Sequence, residues 1–205
     1  MSNKEQTSRM EADDRREQIV QIARVHFLRK GYDKASISGI AVAVGVTRAL
    51  VYHYFPDKTT LFKAVLRSEA DALLAATMPD SRLSPLDNIC GAIRAYLEHF
   101  SVGTTNLLAQ AEAQPALVGE ISRDNHSILA QRVITVLSLE DSPMIHAAIN
   151  AWLQFVAALA HEIALRSGID HEAAIALCVA TLKTIAPAAK IALTLRTQVS
   201  MKGPL

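Results

Sequence analysis

Two short apolar patterns of helical period meet at Gly45 and strongly restrict how the chain can fold there. In the first, Ile37, Ile40, Ala41 and Val44 recur at three- and four-residue steps behind Ser36, which can N-cap a helix. In the second, Thr47 is placed to cap a helix over Arg48 to Tyr54, with Leu50 and Val51 turned to the core. Two short helices crossing steeply need a small residue where their backbones approach, which Ala41 supplies. They also need a turn residue that tolerates positive φ, which Gly45 supplies, and Val46 plugs the turn. Thr47, Arg48, Ala49, Tyr52 and His53 are left on the exposed N-terminal and outer side of the third helix, where a recognition helix meets base edges and phosphates in the major groove.

Around this hinge the pattern is helical throughout. Residues 1–12 are polar and are expected to form a disordered tail. From Asp13, Ile19, Ile22, Ala23, His26, Phe27 and Lys30 describe a first helix that stops at Gly31, and Asp57 caps a fourth helix after Pro56. At least five longer helices follow, divided by Pro79 to Pro85, Val102 to Thr105, Pro115, Glu140 to Pro143 and Ser167 to Asp170. Pro187 falls inside the last of them and predicts a kink or a boundary near Ala186. No strand-like alternation competes, and only 8 Gly and 5% aromatic residues in a half-hydrophobic chain favour Ala- and Leu-rich helices. The expected class is all-α: a three-helix N-terminal domain with a helix-turn-helix over 13–66, then a helical domain over 67–205.

The formal net charge of +1 hides an asymmetry. Residues 1–66 hold 11 Lys and Arg against 7 Asp and Glu, a balance of +4, and residues 67–205 hold 10 against 13, a balance of −3. The basic third is the one with the hinge, as a phosphate-binding surface requires. Cys90 and Cys178 sit far apart in apolar stretches, which suits reduced thiols in a cytoplasmic protein. The first 20 residues lack an apolar signal-peptide core and the apolar runs fall short of about 20 residues, so no membrane partner is expected.

The segment Gly-Val-Thr-Arg-Ala-Leu-Val-Tyr-His-Tyr-Phe-Pro-Asp-Lys, residues 45–58, resembles the signature of the TetR family of one-component bacterial repressors almost position by position. The likeness runs from about Arg15 to Leu66, and the rest of the chain matches only as an all-helical pattern. It implies a DNA-binding set of Ser36, Thr47, Arg48, Ala49, Tyr52, His53 and Lys58. Thr47, Tyr52 and Lys58 would hold phosphates, the Lys with help from the N-terminus of the fourth helix. Arg48 would read guanine or bind phosphate, Ala49 touch a thymine methyl, and His53 contact base or backbone, while Tyr54 and Phe55 belong to the core. Gly39 departs from the family, whose members often carry an acidic residue there, and a helix-interior Gly costs about 1 kcal/mol relative to Ala.

In the C-terminal part, residues 144–165 are apolar over most of the helix circumference, with His146, Asn150, Gln154 and His161 on one narrow polar stripe. Phe100, Trp152, Gln154 and His161 are the candidate contacts of a small, mainly apolar effector; a solvated or dimer-facing stripe is the alternative. The last two helices, 144–167 and 171–197, are dense in Ala, Ile and Leu, and the family resemblance makes them the interface of a homodimer on an inverted-repeat operator in double-stranded DNA. A constitutive architectural DNA-binding dimer, or an effector binder with a vestigial reading head, are the other possibilities. Catalysis, metal and cofactors are not expected. His161-Glu162 and His171-Glu172 begin like a zinc-protease motif without its second His, and no Gly-rich phosphate loop or nucleophile elbow occurs.

Overall fold

The computed structural model describes residues 3–100, 115–166 and 168–200, with side chains over 12–100, 119–166 and 168–187. The helices are α1 (Asn3–Lys34), α2 (Ile37–Val44), α3 (Arg48–Tyr54), α4 (Lys58–Ala76), α5 (Pro85–His99), α6 (Pro115–Val136), α7 (Pro143–Leu165) and α8 (His171–Ser200), and no strand occurs among the described residues. They form two compact units: residues 3–71 with 115–121, and residues 72–100 with 122–166 and 168–200.

In the first unit, Ile19, Ala23 and Phe27 of α1, Ile37, Ile40 and Ala41 of α2, Val51 of α3, and Leu61, Phe62 and Val65 of α4 close one core, joined by Phe55 and by Ile121 of α6. The Phe27 and Phe62 rings meet edge to face at 5.0 Å, a favoured aromatic geometry. Helical backbone begins at Asn3, which corrects the expected disordered tail. Residues 3–12 contain Lys, Glu, Gln, Arg, Met and Ala with no Gly or Pro, so nothing in their propensity stops the helix from extending backwards. At the other end Gly31 breaks the helical path at φ 79°, ψ 158°.

The Gly45 turn forms as its residues require. Ser36 Oγ accepts from Gly39 N and Thr47 Oγ1 from Leu50 N, each satisfying one orphan amide of its helix. Gly45 adopts φ 80°, ψ 30°, and the amides of Gly45 and Val46 both donate to the Ala41 carbonyl. The chain thereby bends by 104° between α2 and α3. A Cβ in this left-handed conformation costs about 1 to 2 kcal/mol, so Gly is the residue that makes the turn without strain.

The second unit packs Ile89, Ile93, Tyr96 and Leu97 of α5 and Leu129, Ala130, Val133 and Ile134 of α6 against α7 and α8. Ser142 caps α7 through Ile145 N with Pro143 in its first turn. By length and composition α7 is apolar enough to cross a membrane. One side is nonetheless committed to the core through Ile145, Ile149, Trp152, Leu153, Val156 and Ala160. Helix α8 continues through Pro187 to Ser200, so the boundary expected near Ala186 does not occur. A proline removes a single i to i−4 hydrogen bond, and a helix otherwise rich in Ala, Leu and Ile can tolerate that loss. The break expected at Val102 to Thr105 lies outside the described residues.

Candidate nucleic-acid interface

Five side chains expected on the reading helix are exposed together: Thr47, Arg48, Ala49, Tyr52 and His53, with Val51 on the opposite, fully buried side. Seven residues suffice for this, because the three- and four-residue steps that bury Val51 and half-bury Leu50 and Tyr54 turn the remaining positions outward. Arg48 Nη2 donates to Tyr52 Oη at 3.0 Å, and its guanidinium lies 5.2 Å from the centroid of the same ring. The pair holds a cation and a phenol side by side on the outer face, a ready partner for a phosphate or a base edge. Ser36 and Thr47 use their oxygens as cap acceptors, which leaves each hydroxyl proton able to turn to another acceptor. His53 stands exposed with its ring edge-on to Tyr54, 5.4 Å between centroids.

Lys58 is placed differently from expectation. Its ammonium donates to the carbonyls of Tyr32 at 2.9 Å, Asp33 at 3.3 Å and Ala35 at 3.4 Å, and lies 4.4 Å from the Tyr32 ring centroid. Three N–H groups thus face three carbonyls where α1 breaks at Gly31, and Lys58 ties α1 to the start of α4. Next to it, Asp57 Oδ1 accepts from Thr60 N at 2.6 Å and caps α4, and this backbone bond, with one from the Thr60 side chain, holds the carboxyl below its ordinary range.

Sequence inspection passed over Arg16. The fold brings it from α1 to the end of α3, where its guanidinium lies 5.0 Å from the Phe55 ring centroid and the side chain stays exposed. Nothing local marks it, since the pairing joins positions far apart in the chain. Arg24 is ion-paired with Glu69, and Lys63 with Glu120 at 3.1 Å, so these cations are engaged inside the unit.

Residues 19–65 match the family model described as "Bacterial regulatory proteins, tetR family". Residues 19–65 are thus a TetR-family DNA-binding domain. Among curated relatives, it is 32% identical over 78 residues to the HTH-type transcriptional repressor Rv1474c of Mycobacterium tuberculosis, covering 38% of this chain and 42% of that one. It is 31% identical over 102 residues to the HTH-type transcriptional activator FasR of Mycolicibacterium smegmatis, covering 47% and 46%. The chain spans less than half the length of the curated relatives it matches. The fold extends further: a TetR-family transcriptional regulator from Streptomyces coelicolor superposes with a TM-score of 0.74 at 21% identity, over 94% of this chain and 90% of that one.

The departure of this TetR-family domain at Gly39 has a structural counterpart in α1. A Cβ at Gly39 would sit 3.0 Å from His26 Nε2 and 3.1 Å from Ser36 Oγ, so the missing side chain is the space that the His26 ring occupies. His26 Nε2 is buried without a hydrogen-bond partner among the described residues. Burial, helped by nearby Lys30, lowers the His26 pKa.

The four residues expected to bind an effector are not brought together. Trp152 is 2% exposed, lines an internal cavity of the second unit and donates from Nε1 to the Cys178 carbonyl at 2.9 Å. Phe100 caps α5 and stacks on Tyr96 with centroids 4.7 Å apart, but lies outside the set lining that cavity. Gln154 and His161 are exposed on the other side of α7, and Gln154 pairs with His126 Nδ1 at 2.8 Å. The correction follows from helical geometry: two residues beyond Trp152 is about 200° around the helix, so Gln154 and Trp152 face opposite directions.

Proposed function

We propose that this protein is a dimeric, DNA-binding transcriptional regulator that represses from an inverted-repeat operator and is released when a small, mainly apolar effector enters its C-terminal unit. The observation that carries this is the exposed outer face of α3, where Thr47, Arg48, Tyr52 and His53 stand together after a 104° turn inside a TetR-family domain. Division of labour follows the chain, with residues 13–66 reading DNA and residues 67–205 sensing and dimerising. Thr47 and the Arg48–Tyr52 pair are the first candidates for DNA contact, with Ser36, Ala49 and His53 beside them and Arg16 added as a phosphate contact. Such a partner places the protein in the cytoplasm. Repression is favoured by relatives named as repressors, although FasR is named an activator.

Dimerisation is supported by the side of α7 that its own core leaves open. Ala147, Ala151 and Ala158 are exposed there with Gln154 and His161, and Ala173, Leu177 and Ala180 are exposed on α8. Small apolar residues let helices of two copies approach closely, and covering such a face lowers the area of apolar surface in water. Gln154 and His161 then belong to the dimer face, the alternative role open to their stripe from the start.

A second role, that of a constitutive DNA-binding dimer, draws on the size of the internal cavity, about 40 Å³, well under the 300 to 1,000 Å³ of usual ligand pockets. The test is to incubate the purified protein with fragmented DNA of its source organism and sequence what is retained. A few sites sharing an inverted repeat support a specific dimeric regulator. Diffuse retention with a steep salt slope supports the constitutive binder, and no retention at moderate salt rejects DNA binding altogether.

A further inference from the structure

The first unit holds a buried polar group that the DNA-contacting face does not use. His26 Nε2, on α1, is buried with no hydrogen-bond partner among the described residues. It lies 3.0 Å from the point a Gly39 Cβ would take, and Ser36 Oγ lies 3.1 Å from the same point, so the ring fills a niche in the first turn of α2 that any larger residue at 39 would crowd. Neutral imidazole suits this niche, because the tautomer protonated on Nδ1 presents only a lone pair at Nε2. A second proton would place a charged N–H there, and the surroundings are set against it. On α1, the residues three and four positions on are Arg29 and Lys30, both cations, and those three and four positions back are Ala23 and Ile22. Helix α2 has no titratable residue, and its first turn, where the helix dipole is positive, contains no acidic group. From α4, the Glu69 carboxylate is held by Arg24. Burial and Lys30 accordingly lower the His26 pKa.

We propose that His26 is a proton-operated switch of the reading head: protonation expels its ring from the niche at Gly39, loosens α2 on α1 and releases the DNA. This rests on the DNA-binding function above and adds a mode of control to it. The side chain as a whole is half-buried, so a rotation carries the charged ring to water. Helix α2 is only eight residues long and leads through the Gly45 turn directly into α3, so a disturbance of its first turn reaches Thr47, Arg48 and Tyr52. A surface histidine acts with the opposite sign. Exposed His53 gains attraction for phosphate when it takes up a proton, and tightens binding in acid. Weakening of DNA binding by acid is therefore the mark of the buried group.

The experiment measures, by fluorescence anisotropy between pH 7 and pH 5 at fixed ionic strength, the affinity of full-length protein for a labelled fragment retained in the DNA selection above. Wild type is expected to weaken by up to about tenfold per pH unit once His26 titrates, one proton being taken up on release. His26→Gln, neutral throughout, should hold or gain affinity over the same range. Lys30→Gln removes the nearby cation, so its loss of affinity should begin at higher pH than in wild type. Hydrogen exchange of the α2 amides, expressed as protection over the intrinsic rate at each pH, should fall in wild type with the same pH dependence. That readout needs neither DNA nor a variant, so the switch stands or falls on it even where no fragment is retained and the DNA-binding function itself fails. Constant α2 protection from pH 7 to pH 5, or an equal acid loss of affinity in His26→Gln, overturns the inference.

Discussion

Replacing Lys58 by Met separates a clamp from a phosphate contact, because Met keeps the aliphatic stem over Tyr32 and removes only the charge and its donors. The bond to Tyr32 O at 2.9 Å is the strong one, and a hydrogen bond with a charged donor contributes about 1.5 to 3 kcal/mol. The contacts at 3.3 and 3.4 Å lie beyond ordinary N–H···O distances, and water can replace them where the carbonyls are accessible, so they add little. Loss of the ammonium from the Tyr32 ring adds about 0.5 to 1 kcal/mol. The sum is about 2 to 4 kcal/mol, which for a unit of this size lowers the thermal midpoint by on the order of 10 to 20 °C. Differential scanning calorimetry measures that shift, and DNA affinity measured across salt concentrations gives the slope of log affinity against log salt. A clamp predicts a lower midpoint and an unchanged slope. An unchanged midpoint with a slope shallower by about 0.9 would refute it and return Lys58 to the phosphates.

The Gly39–His26 contact predicts strong coupling. Gly39→Ala should give no net stabilisation in wild type, because the new Cβ displaces His26. In a His26→Ala background it should recover about 1 kcal/mol of helix propensity, and a urea double-mutant cycle with coupling below about 0.5 kcal/mol would contradict the contact. Because folding lowers the His26 pKa below 6.5, the unfolded chain binds more protons in acid. Its contribution to stability is complete above that value and is lost as pH falls through the folded pKa. Urea unfolding at pH 7 and pH 5 should therefore show a smaller acid loss in His26→Gln than in wild type. Burial raises the Cys178 thiol to about 11, so iodoacetamide at pH 8 should label half-buried Cys90 first and Cys178 only on unfolding; equal labelling rates by mass spectrometry would be incompatible with this burial.

The helix-turn-helix was legible residue by residue because its determinants are local. Ser36, Gly45, Thr47 and Asp57 act on amides three or four positions away or on their own φ, and the apolar steps of α2 decide which side is buried. The exposed set on α3 follows from the same periodicity. The candidate effector residues were not legible, because one stripe on α7 combines with no particular stripe on α5 or α6 until the helices pack. Trp152 and the Gln154–His161 stripe were therefore grouped although they face opposite ways.

The amino-acid order alone thus determined the helix boundaries around Gly45, the all-α class, the basic N-terminal third and the family signature of residues 45–58. These are properties of short windows, where capping, periodicity and backbone preference act within a few residues. Tertiary structure alone decided that Lys58 is spent on the carbonyls of α1, that Arg16 reaches the Phe55 ring, and that Gly39 makes room for His26. Each depends on which groups from distant parts of the chain come within a few ångströms, and on whether water is excluded once they do.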